Sequence, residues 1–179
     1  MSERGVGCFR PAGELDRVEG EPHRLVSDRV DRHLPAFRSE RGAAMLHGGT
    51  YIARGGSNCT GVASRESGAT LEARNVTGLG EECTNSNFGL FTGYDGVALV
   101  LGGEFTGRGG NSWAGGIEAW GGGRLDARGF TARGLGSTYG DGNIGLYVSS
   151  TEVTAANSVL EGDDYWVKTG STTVEIIDS

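Results

Sequence analysis

Leu71-Glu72-Ala73-Arg74-Asn75-Val76-Thr77-Gly78 returns in outline as Leu125-Asp126-Ala127-Arg128-Gly129-Phe130-Thr131-Ala132, and again as Val153-Thr154-Ala155-Ala156-Asn157-Ser158-Val159-Leu160. Each copy opens on an alternation of apolar and polar residues, breaks at Asn or Gly, and resumes. Taking the apolar opener as a marker, it recurs at Met45, Leu71, Leu99, Leu125, Val153 and Val174, at spacings of 26, 28, 26, 28 and 21. A second marker falls at Val62, Leu90, Ile117, Leu146 and Trp166, at spacings of 28, 27, 29 and 20, and four of these follow glycine directly. Two separate markers thus keep one period of about 27 residues, the signature of a repeat architecture.

The unit is too short for a propeller blade. Helical repeats are excluded because glycine interrupts every would-be helix and the apolar residues alternate. A coil that closes after three short strands explains the period, each strand pairing with its counterpart about 4.8 Å along the axis. The reading is an all-β, short right-handed parallel β-helix of about five rungs over 43–179. Alternation sends Leu71 and Ala73 inward and Glu72 and Arg74 outward. The expected inner columns are Met45, Leu71, Leu99, Leu125, Val153 and Val174, then Val62, Leu90, Ile117, Leu146 and Trp166. Tyr51, Phe105, Val76, Phe130 and Val159 are expected on the third side.

The pattern of Gly-Gly-x-Leu-x-Ala, Asn-x-Thr and Gly-Leu/Ile-aromatic resembles the rungs of pectin-lyase-like right-handed β-helix proteins. That superfamily holds pectate lyases, polygalacturonases, tailspikes and non-enzymatic adhesin regions, so the resemblance carries the fold and leaves the activity open. It implies an extracellular or cell-surface setting and polysaccharide as the partner class.

Composition agrees with the repeat. Glycine contributes 34 of 179 residues without a collagen period. Residues 1–42 hold eight arginines and eight acids, whereas residues 43–179 hold eight bases and fifteen acids, which accounts for the whole net charge of −7. Such a surface repels a phosphate backbone, so nucleic acid is a poor partner. No apolar run is long enough for a membrane span, and no signal-peptide core is visible. In residues 1–42, Val26, Val30, Leu34 and Phe37 fall at helical spacing with Pro35 interrupting. This segment is expected to be either a helical N-terminal cap or a disordered leader. The final Val174-Glu175-Ile176-Ile177 reads as a strand with no cap after it, implying a longer chain, a homo-oligomer or end-to-end stacking.

Outward positions of the second strand give a column of Ala63, Phe91, Glu118, Tyr147 and Val167, with Tyr94 and Trp120 near in sequence. Phe91, Glu118, Trp120 and Tyr147 are the candidate ligand contacts, because aromatic rings stack on sugar faces and a carboxylate accepts hydroxyl hydrogen bonds. The leading functional reading is therefore a non-catalytic structural or surface-contact module that binds carbohydrate. The alternative is a polysaccharide lyase or glycoside hydrolase using Glu118 or Asp126 as acid or base and Arg128 for substrate carboxylates. Against that enzyme stands the absence of any histidine after His47. The Gly-His-Gly and Arg-x-Lys elements of polygalacturonases are also missing, which leaves Asp163-Asp164 as a turn. No cofactor is expected. The resemblance suggests calcium as the one ion to consider, at the outward acids Glu72, Asp126 and Glu175, which are interleaved by Val100 and Thr154. Acids on alternate rungs stand roughly 10 Å apart and do not form such a site unaided. Of the three cysteines, Cys59 and Cys83 share a glycine-rich corner on adjacent rungs. A disulfide there requires Cα atoms within about 7 Å.

Overall fold

A computed structural model describes residues 16–18, 24–27, 34–170 and 172–177, and every described element is a strand. Strands β1 (Asp16–Val18), β2 (Arg24–Ser27) and β3 (Leu34–Ser39) come first. The first full turn is β4 (Gly42–His47), β5 (Thr50–Ala53) and β6 (Asn58–Arg65). The next three turns are β7 (Ala69–Glu81) with β8 (Ser86–Gly93), β9 (Val97–Arg108) with β10 (Trp113–Trp120), and β11 (Arg124–Leu135) with β12 (Asn143–Ser149). A fifth turn comprises β13 (Glu152–Ala156), β14 (Val159–Gly162) and β15 (Tyr165–Thr169), and β16 (Val174–Ile177) follows. All pairings are parallel, between one turn and the next, giving a parallel β-solenoid of about five turns.

The strands form a ten-stranded and a six-stranded sheet. The former has two faces, because β7 pairs with both β4 and β5, and β11 with both β13 and β14. The bend between the faces falls at Asn75, Gly102–Gly103, Gly129 and Asn157, which stack turn on turn and all have positive φ, between 51° and 113°. Asparagine and glycine tolerate this left-handed corner best. That is why Asn or Gly interrupts each copy of the repeat.

The core follows one rule of size. In register, Ala44, Leu71, Ala98, Leu125, Val153 and Val174 form one inward column. Two residues on, Leu46, Ala73, Val100, Ala127 and Ala155 form its neighbour. Through the fourth turn, each turn places a large residue where the previous turn placed alanine, so bulky side chains sit diagonally and the layers interlock. On the second face, Tyr51 stacks on Gly78, Gly78 on Phe105 and Phe105 on Ala132, the same alternation with rings. All of these except the glycine and Val174 belong to one buried apolar cluster, with Val174 packed against it.

This register corrects several expected positions by one residue. Met45 and Leu99 face outward, and Ala44 and Ala98 take their places inside. The true column keeps spacings of 27, 27, 27, 28 and 21, more regular over its first five members than the marker chosen by size. Val167, not Trp166, stacks on Leu146, leaving Trp166 71% exposed. Val159 is exposed, and Leu160 packs on the core beside Ala132. Leu99, not Val100, separates Glu72 from Asp126. The expected outward Val167 is replaced by Lys168, the register partner of Tyr147. The helical reading of the N-terminal segment also changes. Val26 lies in β2, while Leu34 and Phe37 lie in β3, where Phe37 stacks on Val62 (Val30 lies outside the described residues). Parallel pairing therefore begins upstream of residue 43.

The glycine-first marker has a steric cause. The second face and the six-stranded sheet converge until their backbones touch. A Cβ on Gly61, Gly89 or Gly116 would lie 2.2–2.3 Å from a backbone nitrogen of the facing strand, and one on Gly145 would lie 2.8 Å from the Glu161 nitrogen. This thin edge is closed by buried Asn87, whose amide donates to the Cys83 carbonyl and whose Oδ1 accepts from the Cys83 N–H, both at 3.1 Å. Cys59 and Cys83 form a disulfide across two turns, with Cα atoms 5.8 Å apart.

Candidate functional site

The outer face of the six-stranded sheet carries a groove of about 480 Å³. Its lining residues come from β3, β6, β8, β10, β12 and the turns between them. The five strands span about 19 Å along the solenoid axis at the usual strand spacing.

Stacking builds its floor. Arg38, Ala63, Phe91, Glu118, Tyr147 and Lys168 are successive register partners, so one outward column crosses all six strands of the sheet. Small Ala63 leaves the floor open at one end, and Phe88 lies beside it. Gly115 stacks next to Phe88, where a Cβ would stand 2.5 Å from the phenyl ring. The absent side chain is what lets that ring lie flat.

Aromatic pairs form the two long edges. On one, Trp113 and Tyr147 meet edge to face with centroids 4.5 Å apart. On the other, Tyr94 and Trp120 do the same at 5.0 Å, and Tyr94 also leans on Phe91 at 6.0 Å. Such pairs hold each ring in one orientation. Tyr94 reaches this position through a tight turn with positive φ at both Tyr94 and Asp95. Asn58, Asn85, Ser86 and Ser112 add polar groups to the rim on the Trp113 side.

Glu118 is the single carboxylate lining the groove among the described residues. It makes no hydrogen bond or ion pair there. Burial pushes its carboxyl up to about 7, against a smaller opposing pull from the Arg65 guanidinium. Arg65 lies over the Tyr94 ring at 4.6 Å and near Phe91 at 5.9 Å, a cation–π arrangement, and joins no ion pair among the described residues. Lys168 approaches Trp113 at 5.5 Å and Tyr165 at 4.8 Å.

The structure brings Phe91, Glu118, Trp120 and Tyr147 to this one groove. It does not bring Glu118, Asp126 and Arg128 together. Asp126 and Arg128 lie on the outer face of the ten-stranded sheet, where they bond each other at 3.2 Å. Glu72 and Arg74 repeat that pair two turns below. Among the described residues no three of His, Cys, Asp and Glu converge, and Glu72 and Asp126 stand two turns apart with Leu99 between them. No described helix is long and apolar enough to cross a membrane.

Sequence reasoning missed Trp113, Arg65 and Arg38 as groove residues. The available signal was their offset from the second marker. Trp113 precedes Ile117 by the same four residues that separate Ser86 from Leu90 and Asn58 from Val62, so all three belong to one outward column. No protein-family model matches this chain, and neither the curated proteins nor the solved structures contain a match to it.

Proposed function

We propose that the chain is a non-catalytic β-solenoid module whose groove binds a carbohydrate chain. The observation that carries this reading is a carboxyl group without a partner in the floor of a groove edged by two aromatic pairs. Rings supply flat apolar area for pyranose faces at little entropic cost, and the polar floor fixes the ligand's orientation. The long axis suits an extended polymer rather than a compact metabolite. The repeat's resemblance to pectin-lyase-like proteins agrees with a polysaccharide partner outside the cell.

An enzymatic reading has one observation in its favour: Glu118 is held near neutrality, where a general acid works best. Against it, glycoside hydrolysis ordinarily uses two carboxyl groups about 5–10 Å apart across the scissile bond. The groove supplies one.

A glycan array followed by calorimetry tests the choice. The expected result is saturable binding that falls at least tenfold, about 1.4 kcal/mol, in Trp120→Ala and in Tyr147→Ala, each with an unchanged circular dichroism spectrum. Bound polymer should yield no new reducing ends and no unsaturated products. Turnover that disappears in Glu118→Gln would replace the binding module with the enzyme.

A further inference from the structure

The charges in the groove allow its ligand to be narrowed, on the premise that the groove binds carbohydrate. Two ionisable groups of opposite sign face it without meeting. Glu118 lies between Phe91 and Tyr147 on the neighbouring strands, with no hydrogen-bond or ion-pair partner among the described residues. Arg65 lies against Tyr94 at the rim, also without an ion pair among the described residues. The other charged groups along this column make bonds elsewhere, although Arg38 Nε is buried without a partner among the described residues. Arg38 on β3 is held by Glu40 at 2.8 Å and Glu66 at 3.1 Å. Lys168 on β15 donates to the Asp141 carbonyl at 3.3 Å. Tyr94 and Tyr147 are the remaining titratable neighbours, and among the described residues no histidine lines the groove.

A guanidinium fork only donates, and an ionised carboxylate only accepts. A ligand that satisfies both must accept from one and donate to the other. Two adjacent sugar hydroxyls do this. A ligand carboxylate could accept from Arg65, but it would meet the half-buried Glu118 as a like charge, an arrangement that interfaces select against. Over residues 43–179 as a whole the chain is acidic, with fifteen acids against eight bases, although Glu118 is the one acid lining the groove among the described residues. We infer that the groove takes uncharged glycans, with neighbouring hydroxyls bridging Arg65 and Glu118, and that Glu118 is the residue that rejects acidic sugars.

Titration of Glu118 makes the rejection depend on pH. Below about 7 its carboxyl is neutral and tolerates an acidic ring; above that value it is charged and does not. The test is calorimetry on the full chain at pH 5.5 and pH 8.5. One ligand series is neutral hexasaccharides (cello-, xylo- and manno-), and the other is hexauronates of galacturonate and alginate type. At pH 8.5 the best neutral ligand should bind at least tenfold tighter than any uronate, and the gap should narrow at least threefold at pH 5.5. Glu118→Gln, nearly isosteric, should abolish the pH dependence and bring the two series within about threefold. Arg65→Met should weaken the neutral series about tenfold, the loss expected for one good polar contact. Tighter uronate binding at pH 8.5, or selectivity unchanged in Glu118→Gln, overturns this inference and leaves carbohydrate binding standing. Failure of both series to bind at either pH overturns the carbohydrate reading itself.

Discussion

Replacing Gly116 with alanine tests why glycine precedes the second marker in four successive turns. The added Cβ would stand 2.3 Å from the Arg133 nitrogen, 2.5 Å from the Ala132 carbonyl carbon and 2.7 Å from the Ala132 Cα. All three are backbone atoms within the sheet, so no rotamer change relieves the contact. The sheets must separate by about 1 Å at a point where interior packing leaves no slack. Overpacking of this kind costs about 1–3 kcal/mol, and a backbone obstacle belongs at the upper end. Gly129→Ala is the control. It has φ +63° but open space around it, so its cost is the left-handed strain alone, about 1–2 kcal/mol. For a chain of this size 1 kcal/mol shifts the melting temperature by about 2–4 °C. Gly116→Ala should therefore melt roughly 6–12 °C below the parent, and Gly129→Ala roughly 2–8 °C below it. Thermal melts and urea titrations followed by far-ultraviolet circular dichroism read both. If Gly116→Ala proves no more costly than Gly129→Ala, the close approach of the two sheets is not why glycine stands there.

The register makes a second prediction. Leu99→Lys places its ammonium on the outer face and should change stability by less than about 1 kcal/mol. Ala98→Lys would bury it beneath Leu71 and Leu125 and should abolish the cooperative transition in urea. The reverse ranking would restore Leu99 to the core. A third concerns pH. Because Glu118's folded value is raised from 4.5 to about 7, folding takes up a proton between those limits. The stability this contributes is fully present below about 4.5 and is lost as pH rises through about 7, up to ~3 kcal/mol in all. Glu118→Gln should therefore gain on the parent in urea midpoint between pH 5 and pH 8. Parallel pH curves for the two proteins would contradict the burial of that carboxyl.

The period was legible because solenoid turns share one geometry, so residues at like positions face like constraints. The faces were legible only where polar residues marked the outside. In Leu71-Glu72-Ala73-Arg74 they do. In β9 the run Val97-Ala98-Leu99-Val100-Leu101 is apolar throughout, and nothing local separates inside from outside. The larger Leu99 drew the assignment, yet Ala98 lies inside because Leu71 and Leu125 already fill the space on either side. A slip of one residue inverts a strand, so that single ambiguity moved a whole turn. The helical spacing of Val26, Leu34 and Phe37 misled in a related way, because pairing of β2 with β5 and of β3 with β6 overrides a local period.

The groove divides along the same line. Phe91, Glu118 and Tyr147 share a register position, so periodicity alone aligned them. Trp113 was legible only as an offset from the second marker, whereas Tyr94 joins them through a tight turn and Arg65 through its reach across two rings, neither of which a repeat encodes. What the chain's own order of residues determined is therefore the one-dimensional part: a coil of about five turns, its period and the outward column that crosses them. Which side chain fills each gap, how closely the sheets approach and where opposite charges stand apart were settled only in three dimensions. Those depend on volume and on contacts between turns, and neither is a property of a residue taken alone.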